Sequence, residues 1–263
     1  MKTLYTPPER AVIKIGTDSI TPKVIADLAR QMAYIHEKVR GLVLVSSGAV
    51  QYGRIDQGVK KEPGETVADK KFFASVGQPL LIAAYIKEFT KYGISIAQGL
   101  VTWDDFDSLK RRRQLHGVLQ RSFRSTKPTI PILNENDFTA DDEFTRFTDN
   151  DHLTADLAQL MEAQKVLFLS RTNGVRRQLD DPRSRIAVVE HGDERWKNWV
   201  GESTSGNGKG GMRNKCKSAA DLASENIEVV IASARIQNVA QRILIHGECI
   251  GTTFLPISHR KPE

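Results

Sequence analysis

Two polar runs lie close together in this chain, Asn134-Glu135-Asn136-Asp137 and Asp149-Asn150-Asp151, and the first directly follows the apolar stretch Thr129-Ile130-Pro131-Ile132-Leu133. An apolar run of this length reads as a short buried strand. Its carboxyl end then carries the polar groups, the position where open α/β sheets bind ligands. Carboxamides offer donors and acceptors that suit both the carboxylate and the amine of a small zwitterion, and Asp137 suits its ammonium. A solvated acidic loop, with asparagines serving as turn and cap residues, is the alternative reading.

Three further stretches suggest anion binding. Val12-Ile13-Lys14-Ile15-Gly16-Thr17 is an apolar strand that carries one lysine and ends in glycine. Residues 42–50 (LVLVSSGAV) read as a second strand running into Ser46-Ser47-Gly48. Residues 206–215 (GNGKGGMRNK) read as a flexible cationic loop feeding a helix over 218–223, with Lys209, Arg213, Lys215 and Lys217 supplying charge for a polyphosphate. Glycine lets backbone N–H groups approach an anion closely, and a helix that starts just afterwards adds its positive end. A lone strand lysine is otherwise a half-exposed edge residue, and a glycine-rich stretch a mobile linker; three such loops in one chain favour the anion. None is a Gly-x-x-x-x-Gly-Lys-Ser/Thr phosphate loop, and none has Gly-x-Gly-x-x-Gly spacing.

These residues resemble the glutamate 5-kinase branch of the amino acid kinase family. The likeness runs over 12–256, through 45–54 (VSSGAVQYGR), 74–78 (ASVGQ), 92–102 (YGISIAQGLVT), 131–137 (PILNEND), 148–155 (TDNDHLTA), 208–215 (GKGGMRNK) and 251–256 (GTTFLP), in the family's order. The resemblance implies an α/β fold, a mostly parallel central sheet sandwiched between helices. It implies one domain over 1–263, with glutamate bound by the N-terminal part and nucleotide by roughly 160–263. The implied reaction moves the γ-phosphoryl group of ATP, accompanied by Mg²⁺, to the side-chain carboxylate of L-glutamate, the first step of proline biosynthesis. By position, Lys14 and Lys215 contact the transferring group and Asp151 orients the two lysines. Ser47, Gly48, Ala49, Asp137 and Asn150 serve glutamate and the acyl oxygen. Lys14, Gly16, Ser170, Arg171, Lys209, Gly210, Gly211, Met212, Arg213, Asn214 and Lys215 line the ATP site, and no metal ligand is assigned. A homo-oligomer, dimer or tetramer, is implied as well.

The chain departs from the family in two places. Residues 170–176 (SRTNGVR) stand where relatives commonly read Thr-Asp-x-x-Gly-Leu-Tyr, so an acidic position carries Arg171, and 114–117 (QLHG) stand for Tyr-Leu-Asn-Ala. A family member with another acidic substrate, or a catalytically impaired regulatory homologue, is the second reading.

The elements that must hold these residues alternate along the chain. Val24, Ile25, Leu28, Met32 and Ile35 recur at helical spacing, as do Phe73, Val76, Leu80, Leu81, Ala84 and Ile86, and then Leu153, Leu157, Leu160 and Met161. Strands are expected at 42–45, 94–97, 166–169 and 227–232, which gives parallel βαβ units. The charged stretch 180–206 reads as a lid or excursion over the nucleotide site. At 263 residues and 40% hydrophobic content, one α/β domain is expected. No run of about 18 apolar residues and no secretory h-region occurs, so a soluble, cytoplasmic protein is expected. Many relatives carry an additional PUA domain; the end at Glu263 leads to the expectation of a kinase domain alone. Cys216 and Cys249 lack metal spacing and are expected as reduced thiols. A net charge of +6, with basic clusters at Lys110-Arg111-Arg112-Arg113 and 121–127, raises nucleic-acid binding as a different class. Without interleaved aromatics, those clusters read as solvated helix faces.

Overall fold

The computed structural model describes residues 5–62, 64–140, 150–178, 180–200 and 211–259, His259 by its backbone only. The strands are β1 (Arg10–Ile15), β2 (Gly41–Ser46), β3 (Ser95–Val101), β4 (Thr129–Glu135), β5 (Lys165–Ser170), β6 (Val188–Val189), β7 (Glu228–Ser233) and β8 (Thr252–Phe254). They form one sheet in the order β3-β4-β2-β1-β5-β7-β8-β6, parallel throughout except where β7 meets β8. The helices are α1 (Pro22–His36), α2 (Ala49–Asp56), α3 (Val67–Thr90), α4 (Asp104–Asp107), α5 (Leu109–Phe123), α6 (Asn150–Leu160), α7 (Met212–Ser224) and α8 (Val239–Leu244). Parallel strands are covered on both faces, so β2 and β5 are buried at every position.

The period-two alternation of β1 divides the core. Ile13 and Ile15 face one layer, with Leu28 of α1, Leu81 of α3 and Ile243 of α8. Val12 belongs to the opposite core, with Leu119 of α5, Leu157 of α6 and Leu222 of α7. Lys14, two residues from Val12, points to this second layer. That parity brings a charged side chain under α6 and α7.

Several element boundaries differ from the sequence reading. The strand expected at 42–45 runs from Gly41 to Ser46, and α2, which was not expected, begins at Ala49 after Gly48, whose φ of 110° is readily adopted only by glycine. The helix expected from Leu153 starts at Asn150, and the one expected at 218 starts at Met212. Polar first turns carry no apolar period, which is why these starts were hidden. In α3 the core stripe is Ala74, Gly77, Leu81, Tyr85 and Phe89, whereas Leu80 and Ile86 of the expected pattern are 40% and 47% exposed. Cys216 and Cys249 are both free. Among the described residues no helix is long and apolar enough to cross a membrane.

Candidate active site

Lys14, Asp151 and Lys215 meet at the carboxyl edge of the sheet. Lys14 Nζ lies 2.5 Å from Asp151 Oδ1, and Lys215 Nζ lies 3.0 Å from Asp151 Oδ2. The Asp151 side chain is fully buried and the lysine side chains are 3% and 11% exposed. Asp151 sits in the first turn of α6, where a helix dipole favours an anion. Lys215 sits in the first turn of α7, where the dipole opposes a cation. Its placement opposes the dipole, and the ion pair with Asp151 offsets that cost. Burial pushes the Asp151 carboxyl up, but Lys14 and Lys215 more than reverse this and hold it below its ordinary value. Cys216, adjacent in sequence, has its thiol pushed up to about 12 by burial and is not a nucleophile.

Beside the triad runs a chain of carboxamides. Asn150 Nδ2 donates to Ser47 Oγ at 2.9 Å and to Asn134 Oδ1 at 2.8 Å, and approaches the Ser46 carbonyl at 3.4 Å. Asn134 Nδ2 donates to Gln78 Oε1 at 2.8 Å, which ties β4 to α3. Asn150 Oδ1 is buried and accepts no hydrogen bond among the described residues. A buried acceptor left open marks a place for a donor from elsewhere. Asp137 stands in the turn after β4, half-buried, and lines a recess with Gln78, Glu135 and Phe138.

The turns that bear glycine are laced to the strand ends. Ser47 N–H donates to Ile15 O and Gly16 N–H donates to Leu169 O, so the loops after β1, β2 and β5 stand side by side. A Cβ on Gly16 would lie 3.9 Å from Lys14 Nζ. Gly48 and Ala49 open α2, whose first N–H groups have no intrahelical acceptor. Ser170 ends β5, and its hydroxyl donates to Thr172 O. Arg171, 59% exposed, reaches toward Asp18 in the β1 loop at 4.0 Å.

Gly211, Met212, Arg213 and Asn214 lead into Lys215 as the cap and first turn of α7 rather than as loop. Lys209, Gly210 and Asp149 lie outside the described residues. Arg213, Asn214 and Lys217 also line a cleft of about 400 Å³ between α7 and the segment 189–197, with Trp196 and Phe254. None of the triad lines this cleft. The sequence reading thus assembled Lys14, Asp151, Lys215, Ser47 and Asn150, and missed Gln78, whose carboxamide in an otherwise apolar stretch of α3 was the available signal.

The sequence profile of the amino acid kinase family matches residues 9–233. A glutamate 5-kinase of a Thermoanaerobacter species is 36% identical over 265 residues, spanning 96% of this chain and 69% of the relative. A glutamate 5-kinase of Shewanella amazonensis is 36% identical, over 94% of this chain and 67% of its own. Among solved structures, isopentenyl phosphate kinase of T. acidophilum superposes with a TM-score of 0.60 at 14% identity, covering 93% of this chain and 99% of that one. N-acetylglutamate synthase of Neisseria gonorrhoeae, complexed with coenzyme A and N-acetyl-glutamate, gives 0.66 at 13% identity, covering 97% and 60%. These two likenesses concern the fold.

Proposed function

The chain belongs to the amino acid kinase family, and on that basis we propose that it transfers the γ-phosphoryl group of ATP to the side-chain carboxylate of L-glutamate, giving glutamyl 5-phosphate for proline biosynthesis. The observation that carries the reading is the buried triad. Two ammonium groups converge on one buried carboxylate where little water reaches. Paired cations held in place in this way suit the negative charge of a phosphoryl group in transfer.

Glutamate's carboxylate is ionised at pH 7 and is itself the nucleophile. No general base is needed, so catalysis consists of in-line positioning and charge compensation. Lys14 and Lys215 flank the transferring group from β1 and α7, and Asp151 fixes both ammonium positions without exchanging a proton. Asn150 Oδ1 accepts from the α-ammonium of glutamate, Asp137 pairs with it, Ser47 binds glutamate, and the Gly48 and Ala49 N–H groups donate to oxygens of the transferring phosphoryl group or to the acyl oxygen. The nucleotide belongs to the C-terminal part, roughly 160–263, with its phosphates toward Gly16, Gly211 and the start of α7. Ser170 and Arg171 stand at its mouth, and Lys209 and Gly210 belong to the same loop. The cleft along α7 supports a place for the rest of the nucleotide. Among the described residues no group of three or more His, Cys, Asp or Glu is placed to hold a metal. Mg²⁺ that arrives with ATP is held chiefly by phosphate oxygens and water. The exposed apolar side chains Ile86, Leu100 and Phe138, which line one recess beside the edge strand β3, support a homo-oligomer.

The test is ADP release with Mg²⁺ and ATP across L-glutamate, aspartate, N-acetylglutamate and carbamate. Preference for L-glutamate is expected. Equal or better turnover of N-acetylglutamate would refute the assignment, because an acetylated amine cannot make the ammonium contact.

A further inference from the structure

We propose that Tyr85 and Ser46 are positioning residues for phosphoryl transfer: their hydroxyls form a relay that fixes the peptide between Ser47 and Gly48. The inference rests on the kinase reading above. Ser46 ends β2, and its Oγ lies 2.9 Å from Tyr85 Oη and 3.0 Å from the carbonyl oxygen of Ser47. A carbonyl only accepts, so Ser46 donates to Ser47 O. Its single proton is then used, and Tyr85 must donate to Ser46 Oγ. Burial raises the Tyr85 pKa, which keeps the phenol protonated and donating at all working pH values. Tyr85 is fully buried in α3, with its ring beside Phe89.

The consequence follows from peptide geometry. The unit is planar and trans, so its C=O and N–H point in opposite directions. Holding Ser47 O toward Ser46 and Tyr85 turns the Gly48 N–H away from α3. On the other side of the same turn, Asn150 of α6 holds Ser47 Oγ and approaches Ser46 O. The turn is therefore clamped from both helical layers. Gly48 itself, at a φ of 110°, has few intrinsic restraints on its backbone, so an external clamp sets its direction. The clamp is stiff because α3 is pressed against α2: a Cβ on Gly77 would lie 1.9 Å from Ala49 O, and one on Gly53 would lie 1.8 Å from Phe73 O. Tyr85 and the start of α2 thus share one rigid support.

The test uses Tyr85→Phe, which keeps the ring, Ser46→Ala, and the double variant. Rates are expressed per ATP-binding site, titrated directly, so that loss of folded protein does not count. Removing an aligned donor outright costs about 10²- to 10³-fold, so loosening its direction is expected to lower kcat about tenfold in each single variant. The KM values for glutamate and ATP should stay within about twofold, because the donor acts on charge that develops in transfer. The double variant should be no slower than either single one, since both break the same relay. A wild-type kcat in Tyr85→Phe, multiplicative losses in the double variant, or a raised KM with kcat intact would overturn the proposal. Absence of glutamate-dependent turnover in the wild type would remove the kinase reading and this inference with it.

Discussion

Asp151 is the residue on which the two cations depend, and its titration gives a sharp expectation. Its folded pKa lies below the ordinary carboxylate value, so the stabilisation it provides is complete above that value and is lost only as pH falls through the depressed one. Asp151→Asn leaves two buried ammonium groups facing a neutral amide, at a cost of about 3 to 5 kcal/mol. In chemical denaturation the gap between wild type and Asp151→Asn should hold constant from neutral pH down to about 5 and close only below about 4. A gap already closed near pH 6 would contradict the buried, ionised carboxylate. Arg171 calls for the opposite expectation, a small effect. It is exposed and stands at a loose 4.0 Å from Asp18, an arrangement that contributes about 0.2 to 1 kcal/mol. Arg171→Asp sets two carboxylates across the mouth, and the KM for ATP should rise a few fold at low ionic strength and less at high salt, with kcat unchanged. Improved ATP affinity would overturn this. Lys14, Asp151 and Lys215 were legible as a set because they fall in segments that resemble a family. Tyr85 was not, since it lies outside those segments and its partner Ser46 is 39 residues away; Gln78 lies inside the matching segment 74–78, but its role shows only through Asn134, 56 residues away.

The helices show where periodicity stops being informative. The apolar spacing of α6 and α7 located both helices but not their polar first turns, which hold Asn150, Asp151 and Lys215. In α3, apolar residues occupy two faces, and the spacing alone could not tell the core stripe from the recess beside Asp137. What identifies the core face is the close crossing at Gly77. Gly77→Ala should destabilise by at least about 1 to 3 kcal/mol, because the new methyl meets backbone that cannot move aside. Gly117→Ala in α5 is the control: nothing lies within 4 Å of its Cβ, and a helix interior prefers alanine by about 0.5 to 1 kcal/mol. Thermal unfolding should show Tm falling for the first and rising for the second. A neutral Gly77→Ala would mean that α2 and α3 do not pack as described.

Across the whole molecule, the parallel sheet was legible because its central strands are near-continuous apolar runs. The short strands β6 and β8 were not, since two or three residues carry no readable period. The stretch expected as a lid or excursion over the nucleotide site supplies, in its described part, the edge strand β6 and one wall of the cleft along α7. Its remaining residues, 201–206, lie outside those described. The basic cluster on α5 is exposed, with Arg111 3.6 Å from Asp105. The net charge of +6 is therefore in part a solvated surface and not a property of the triad. The sheet brings Lys14 from one end of the chain and Lys215 from the other onto a single carboxylate, and the account stands or falls on what they transfer. The most direct measurement is γ-glutamyl hydroxamate formed from Mg²⁺, ATP, L-glutamate and hydroxylamine, with ADP counted alongside, for the wild type, Lys14→Ala and Lys215→Ala. The wild type should give hydroxamate and glutamate-dependent ADP in equal amounts, and each variant should lose roughly 10²-fold or more in kcat while still binding ATP. No glutamate-dependent ADP from the wild type, or a lysine variant that works at the wild-type rate, would contradict it.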